Sequence, residues 1–143
     1  MKCNLIIDKN RDEEVTVYAH RKTRLVTEIE RLCKEGHIDL IGYKGNEIVR
    51  FDLRDVCCFT VENGKVFALT LKEKLYLKCR LYVLEDELSE SFVKVNKSCI
   101  ANIKMIDRFD ATFSGALSVR FKNGFTDYVS RRCLKNVKER LGI

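Results

Sequence analysis

Glycine-centred turn signals at Lys44-Gly45-Asn46, Asn63-Gly64 and Asn123-Gly124 divide the chain after Asp39 into short runs rich in β-branched and aromatic residues. A tight hairpin turn needs residues that tolerate positive φ, and Asn-Gly supplies two of them. The flanking runs therefore read as antiparallel strands: Asp39 to Tyr43 with Glu47 to Phe51, Val56 to Val61 with Lys65 to Leu71, and Ala116 to Phe121 with Thr126 to Val129. Lys74 to Cys79, Phe92 to Val95 and Ser98 to Phe109 read as further strands. Helical spacing appears at Leu81, Leu84 and Leu88. It returns in a last helix from Arg131 to Leu141, with Leu134, Val137 and Leu141 on its apolar face and Ser130 as N-cap. The expected fold class is α+β, mainly β with a few helices, its strands forming a sandwich or several small antiparallel sheets.

Residues 1–40 follow a different pattern. Leu5-Ile6-Ile7 and Val15-Thr16-Val17-Tyr18 read as two short strands around a polar turn, Asp8 to Glu14. Leu25, Val26, Ile29, Leu32 and Cys33 then fall on one face of a helix, with Glu30 and Lys34 as an i,i+4 pair and Gly36 as the stop. A small β-β-α unit over 1–40 is expected to pack on the domain at 41–143 or to mediate dimerisation.

Charge is unevenly placed. Residues 92–143 hold 11 Lys or Arg against 4 Asp or Glu, a balance of +7, whereas residues 1–91 hold 16 against 17, a balance of −1. The whole net charge of +6 thus sits in the last third, a field that attracts polyanions. No apolar run reaches the length of a membrane span and the first residues carry no secretory pattern. Seven cysteines without a regular frame fit a reducing compartment, so a cytoplasmic location is expected. An enzyme is not expected. The histidines, His20 and His37, stand at no catalytic spacing, and no glycine-rich phosphate loop occurs. Cys57, Cys58, Cys79, Cys99 and Cys133 contain no C-x-x-C pair and read as small core residues, alternation burying one of Cys57 and Cys58. Cys133, beside two arginines at a helix start, leaves a redox role open. No metal, cofactor or small-molecule substrate is expected.

Arg131 and Arg132 oppose the positive end of their helix macrodipole, each at a cost of about 0.3–1 kcal/mol when exposed. Something must offset this: a bound phosphate, held by guanidinium forks and free helix N–H groups, or a carboxylate such as Asp127. Lys94, Asn96 and Lys97 form a second group, alternation placing Lys94 and Asn96 exposed near a strand end and Lys97 at a turn. Such a tip can donate to phosphates and base edges, or be an ordinary solvated hairpin. A third group is Asn63 and Lys65 at the Asn63-Gly64 turn, which reads equally as a plain turn.

Phe92-Val-Lys-Val-Asn-Lys-Ser-Cys-Ile-Ala-Asn102, followed about thirty residues later by Ser130-Arg131-Arg132 opening a helix, resembles the LytTR family of bacterial DNA-binding domains. The likeness runs from Ile41 to Ile143. It implies a stand-alone transcription regulator without a receiver domain, reading double-stranded promoter DNA through loops and strand ends of a β domain, on paired direct repeats. It further implies Lys97, Arg132, Arg131, Asn96, Lys94, Lys65 and Asn63 as DNA-binding candidates, a homodimer, and a membrane-protein regulator as a partner. Lys94, Asn96 and Lys97 depart from the Arg, His and variable polar residue of the family, and Lys does not replace Arg at a bidentate site, so sequence preference is expected to differ. Asn102 reads as a structural side chain satisfying a buried backbone group. The competing reading is a protein-interaction module whose basic face meets an acidic partner. Single-strand binding would need exposed stacking aromatics, whereas Phe92, Phe121 and Tyr128 read as core residues.

Overall fold

The computed structural model describes residues 1–35, 40–88, 90–111 and 115–143. The chain divides into two compact units, Met1–Lys34 and Glu35–Ile143.

In the first unit the amphipathic stretch forms helix α1 (Arg24–Glu35). Thr23 Oγ1 accepts from Val26 N at 3.3 Å and caps its first turn. The two strands expected before it are not formed: residues 5–7 and 15–18 carry no strand pairing, and Leu5, Ile6, Ile7, Val15 and Tyr18 are exposed. β-propensity alone does not hold two short strands together in water without a covered face. Glu30 pairs with Lys22 at 3.1 Å. The side chain of Lys34, and Gly36 and Asp39, lie outside the described residues.

The second unit begins with β1 (Ile41–Lys44), β2 (Glu47–Arg50), β3 (Val56–Glu62), β4 (Lys65–Thr70) and β5 (Lys74–Leu77). Helix α2 (Leu81–Glu87) follows, then β6 (Phe92–Asn96), β7 (Cys99–Asn102), β8 (Ile106–Ala111), β9 (Leu117–Phe121), β10 (Thr126–Val129) and helix α3 (Arg131–Leu141). Seven strands form one antiparallel sheet in the order β2-β1-β5-β4-β3-β7-β6, and three form a second in the order β10-β9-β8. The larger sheet is covered on both sides. Phe59, Val66, Leu75, Leu77 and Ile100 pack with Leu81 and Leu84 of α2, while Cys58, Val93, Val95 and Cys99 pack with Val119, Phe121 and Val129 of the small sheet and Val137 of α3. Full burial of a side chain such as Phe59 contributes about 1.5–3 kcal/mol.

Double coverage explains why β3 does not alternate. A β-bulge between Val56 and Cys58 turns Cys57 and Cys58 toward the same core, so both are buried instead of one. The expected strand from Ser98 to Phe109 is also broken. Asn102 Oδ1 accepts from Lys104 N at 3.1 Å and starts a 3-10 turn at Ile103–Met105, as Asp52 does for Leu53–Asp55. The Asn-Gly turns differ from one another. Asn63 and Gly64 both take positive φ, 51° and 74°. At the other, only Gly124 does, at 88°, and Phe121 O accepts from Gly124 N in a longer loop. Asn123 is held instead by its side chain, which donates to Thr70 O at 3.2 Å and accepts from Phe125 N at 3.0 Å.

Candidate nucleic-acid interface

β3 runs antiparallel to β7, with Thr60 opposite Cys99, and Val61 N donates to Ser98 O at 2.9 Å. The turn Asn63-Gly64 after β3 and the turn Lys97-Ser98 before β7 therefore lie side by side at one end of the sheet. A second set of bonds brings the start of α3 to the same place. Ser130 N donates to Val95 O at 2.8 Å, and Asn96 Nδ2 donates to Tyr128 O at 2.9 Å. Segments separated by tens of residues thus converge, presenting Asn63, Lys65, Lys97, Arg131 and Arg132, all exposed.

Two members of the expected set sit elsewhere. Asn96 is 1% exposed and both ends of its amide are used, since Oδ1 also accepts from Ser98 N at 2.8 Å. It fixes the tip and offers nothing to a partner. A bulge between Lys94 and Asn96 breaks the alternation that would have kept both at the surface. Lys94 instead turns to the α2 side, where Nζ lies 3.4 Å from Glu85 Oε2. It is half-exposed and partly neutralised.

Ser130 caps α3 as expected, its Oγ accepting from Cys133 N at 3.3 Å. Gly142, at φ 72°, closes the other end. Among the described residues neither Arg131 nor Arg132 is in an ion pair, and Asp127 accepts from Tyr128 N at 2.8 Å instead of meeting them. Two cations at an uncompensated helix start, with Lys97 at the adjacent tip, form a site suited to anions. Lys65 Nζ lies 5.6 Å from the centroid of the Tyr76 ring, which steadies the ammonium while leaving it exposed.

Asn102 has the structural role its position implied: Nδ2 donates to Val56 O at 2.9 Å and the residue is 3% exposed. Tyr128 does not join the core. It is 55% exposed, because Val129 is the inward residue of β10 and parity sends its neighbour out. That parity was the available signal. Phe92 and Phe121 are buried. Cys133 is half-buried, while burial raises the pKa of Cys57, and a hydrogen bond with Cys58 together with burial raises that of Cys99. No helix among the described residues is long and apolar enough to cross a membrane.

The LytTr DNA-binding domain family model matches residues 46–142. Over the whole chain, and 99% of their own length, the protein is 35% identical to proteins described as uncharacterized HTH-type transcriptional regulators of Staphylococcus aureus, among them those of strains NCTC 8325 / PS 47 and bovine RF122/ET3-1. The structure is similar to the solved LytTr DNA-binding domain of a Bacillus cereus protein, with a TM-score of 0.68 and 17% identity over 73% of this chain and 96% of that one. That likeness concerns the fold. Among the described residues no two helices follow one another across a turn. By the match over residues 46–142 and the full-length identity to these regulators, the chain belongs to the LytTR family of DNA-binding transcription regulators.

Proposed function

We propose that the protein regulates transcription by binding double-stranded promoter DNA in a sequence-specific manner through the three convergent segments: Asn63 to Lys65, Lys97, and Arg131 with Arg132. The observation that carries this reading is the pair of bonds from Ser130 N to Val95 O and from Asn96 Nδ2 to Tyr128 O, which hold the helix start against the β6–β7 tip. Guanidinium groups suit bidentate contact with guanine edges, and lysines suit phosphates. The basic balance of residues 92–143 supplies the long-range attraction.

One small domain with three short contacting segments buries too little surface for tight, selective binding. Two molecules on paired direct repeats, on one face of the duplex, would supply the rest. Selection from random duplexes should return a repeated motif. Inserting about five base pairs between the repeats should cut cooperative binding, and inserting about ten should restore it. Recovery of no common sequence would leave a basic domain without sequence selectivity and overturn the reading.

A further inference from the structure

The first 34 residues contain eight of the fourteen large apolar side chains found exposed in the described chain. They concentrate in Leu5-Ile6-Ile7, in Val15 and Tyr18, and on α1 through Leu25 and Leu32, with Ile6 at 81% and Tyr18 at 93% exposure. This is more than scattered surface apolarity. The unit has two segments of high β-propensity without strand partners among the described residues, and a helix of 12 residues, a length that is marginal in water without a covered face.

Charge indicates what covers it. Around the polar turn, Asp12 and Glu13 are exposed, and Arg21 and Arg24 are exposed where the chain enters α1. Among the described residues none of the four is in an ion pair, whereas their neighbours Arg11 and Glu14, and Lys22 and Glu30, are already paired within the chain at 3.4 Å and 3.1 Å. An acidic turn and a basic corner left over in one small unit are self-complementary. In a two-fold pair each turn meets the partner's corner, and the contact is made twice. Size agrees as well, since 34 residues compare with the roughly 20–30 residues a side of a standard interface.

We infer that residues 1–34 are a self-association arm whose occupant is the same unit of a second copy, with Asp12 and Glu13 of each facing Arg21 and Arg24 of the other and the apolar segments buried between them. The family model begins at residue 46, yet the similarity to the Staphylococcus aureus regulators runs through this arm. The inference does not depend on the DNA-binding reading.

It is tested with the full chain, without DNA, by sedimentation over a range of concentrations. A mass of twice 16.7 kDa is expected for the wild type. Two charge-reversed proteins, Asp12→Lys with Glu13→Lys and Arg21→Glu with Arg24→Glu, should each dissociate with a constant raised about tenfold or more, because like charges then face each other. Mixing them should restore a dimer, since one contact then joins the two reversed surfaces, lysines to glutamates, and the other joins the two unchanged ones. All four positions are exposed, and circular dichroism reports whether the variants fold. A wild type that stays monomeric at every concentration, reversed proteins that dimerise as tightly as the wild type, or a mixture that does not recover, would each overturn the arm.

Discussion

Asn96 Nδ2 donates to the carbonyl oxygen of Tyr128 at 2.9 Å, joining residues 32 positions apart at the point where strand β6 meets the approach to α3. The same side chain accepts from Ser98 N, so one buried amide sets both the turn that presents Lys97 and the distance from that turn to Arg131. Asn96→Ala leaves a backbone acceptor and a backbone donor, both part-buried, without their side-chain partner, and each such lost hydrogen bond costs about 0.5–1.5 kcal/mol. The variant should unfold at clearly lower urea and bind DNA more weakly at temperatures where it is still folded. An unchanged urea midpoint would remove Asn96 from this role.

Lys94 and Lys97 stand three residues apart and should behave differently. Lys94 faces Glu85 across a 3.4 Å contact on the α2 side, an exposed pair of the kind that contributes about 0.2–1 kcal/mol to stability. Lys94→Ala should therefore leave affinity for a selected duplex within about twofold, a difference of roughly 0.4 kcal/mol. Anisotropy titrations of both alanine variants against one labelled duplex make the comparison. A loss at Lys94 equal to that at Lys97 would place the interface across the α2 side as well.

Thiol reactivity should separate the cysteines by location. Cys3 and Cys33 are exposed and should react with a thiol reagent at once, while Cys57, Cys58 and Cys99 are buried and should wait for unfolding. Burial raises the pKa of Cys57 and of Cys79 above the ordinary thiol value of 9.0, and a hydrogen bond with Cys58 together with burial raises that of Cys99. The folded state then keeps protons that the unfolded chain releases. The stability this contributes is fully present below pH 9.0 and is lost as the pH rises beyond it. Rapid labelling of Cys99 in the native protein at neutral pH would contradict the packing of the larger sheet.

The fold was legible wherever one local rule decided the outcome. Helix α3 forms from Arg131 to Leu141 behind its Ser130 cap, and the paired positive φ angles of Asn63 and Gly64 are what a tight hairpin turn asks for. Tertiary contacts governed the rest. Two β-bulges shift the faces of β3 and β6, burying both Cys57 and Cys58 and withdrawing Asn96 from the surface, and no pattern of alternation announces a bulge. The segments at 5–7 and 15–18 have strand composition without a strand partner among the described residues, so propensity misled there. Convergence of the Asn63, Lys97 and Arg131 segments came only from β3–β7 pairing and from bonds across more than thirty residues, which local sequence does not encode.

The central claim, that the β6–β7 tip and the start of α3 form one DNA-contacting surface, is tested most directly by measuring the affinity of Lys97→Ala, Arg132→Ala and the double variant for a selected duplex at two salt concentrations. Each single change should cost about 1–3 kcal/mol if it removes a base contact, or lower the salt slope by about 1 if it removes a phosphate contact, with the urea midpoint unchanged. Wild-type affinity and salt dependence in both single variants and in the double would contradict the account.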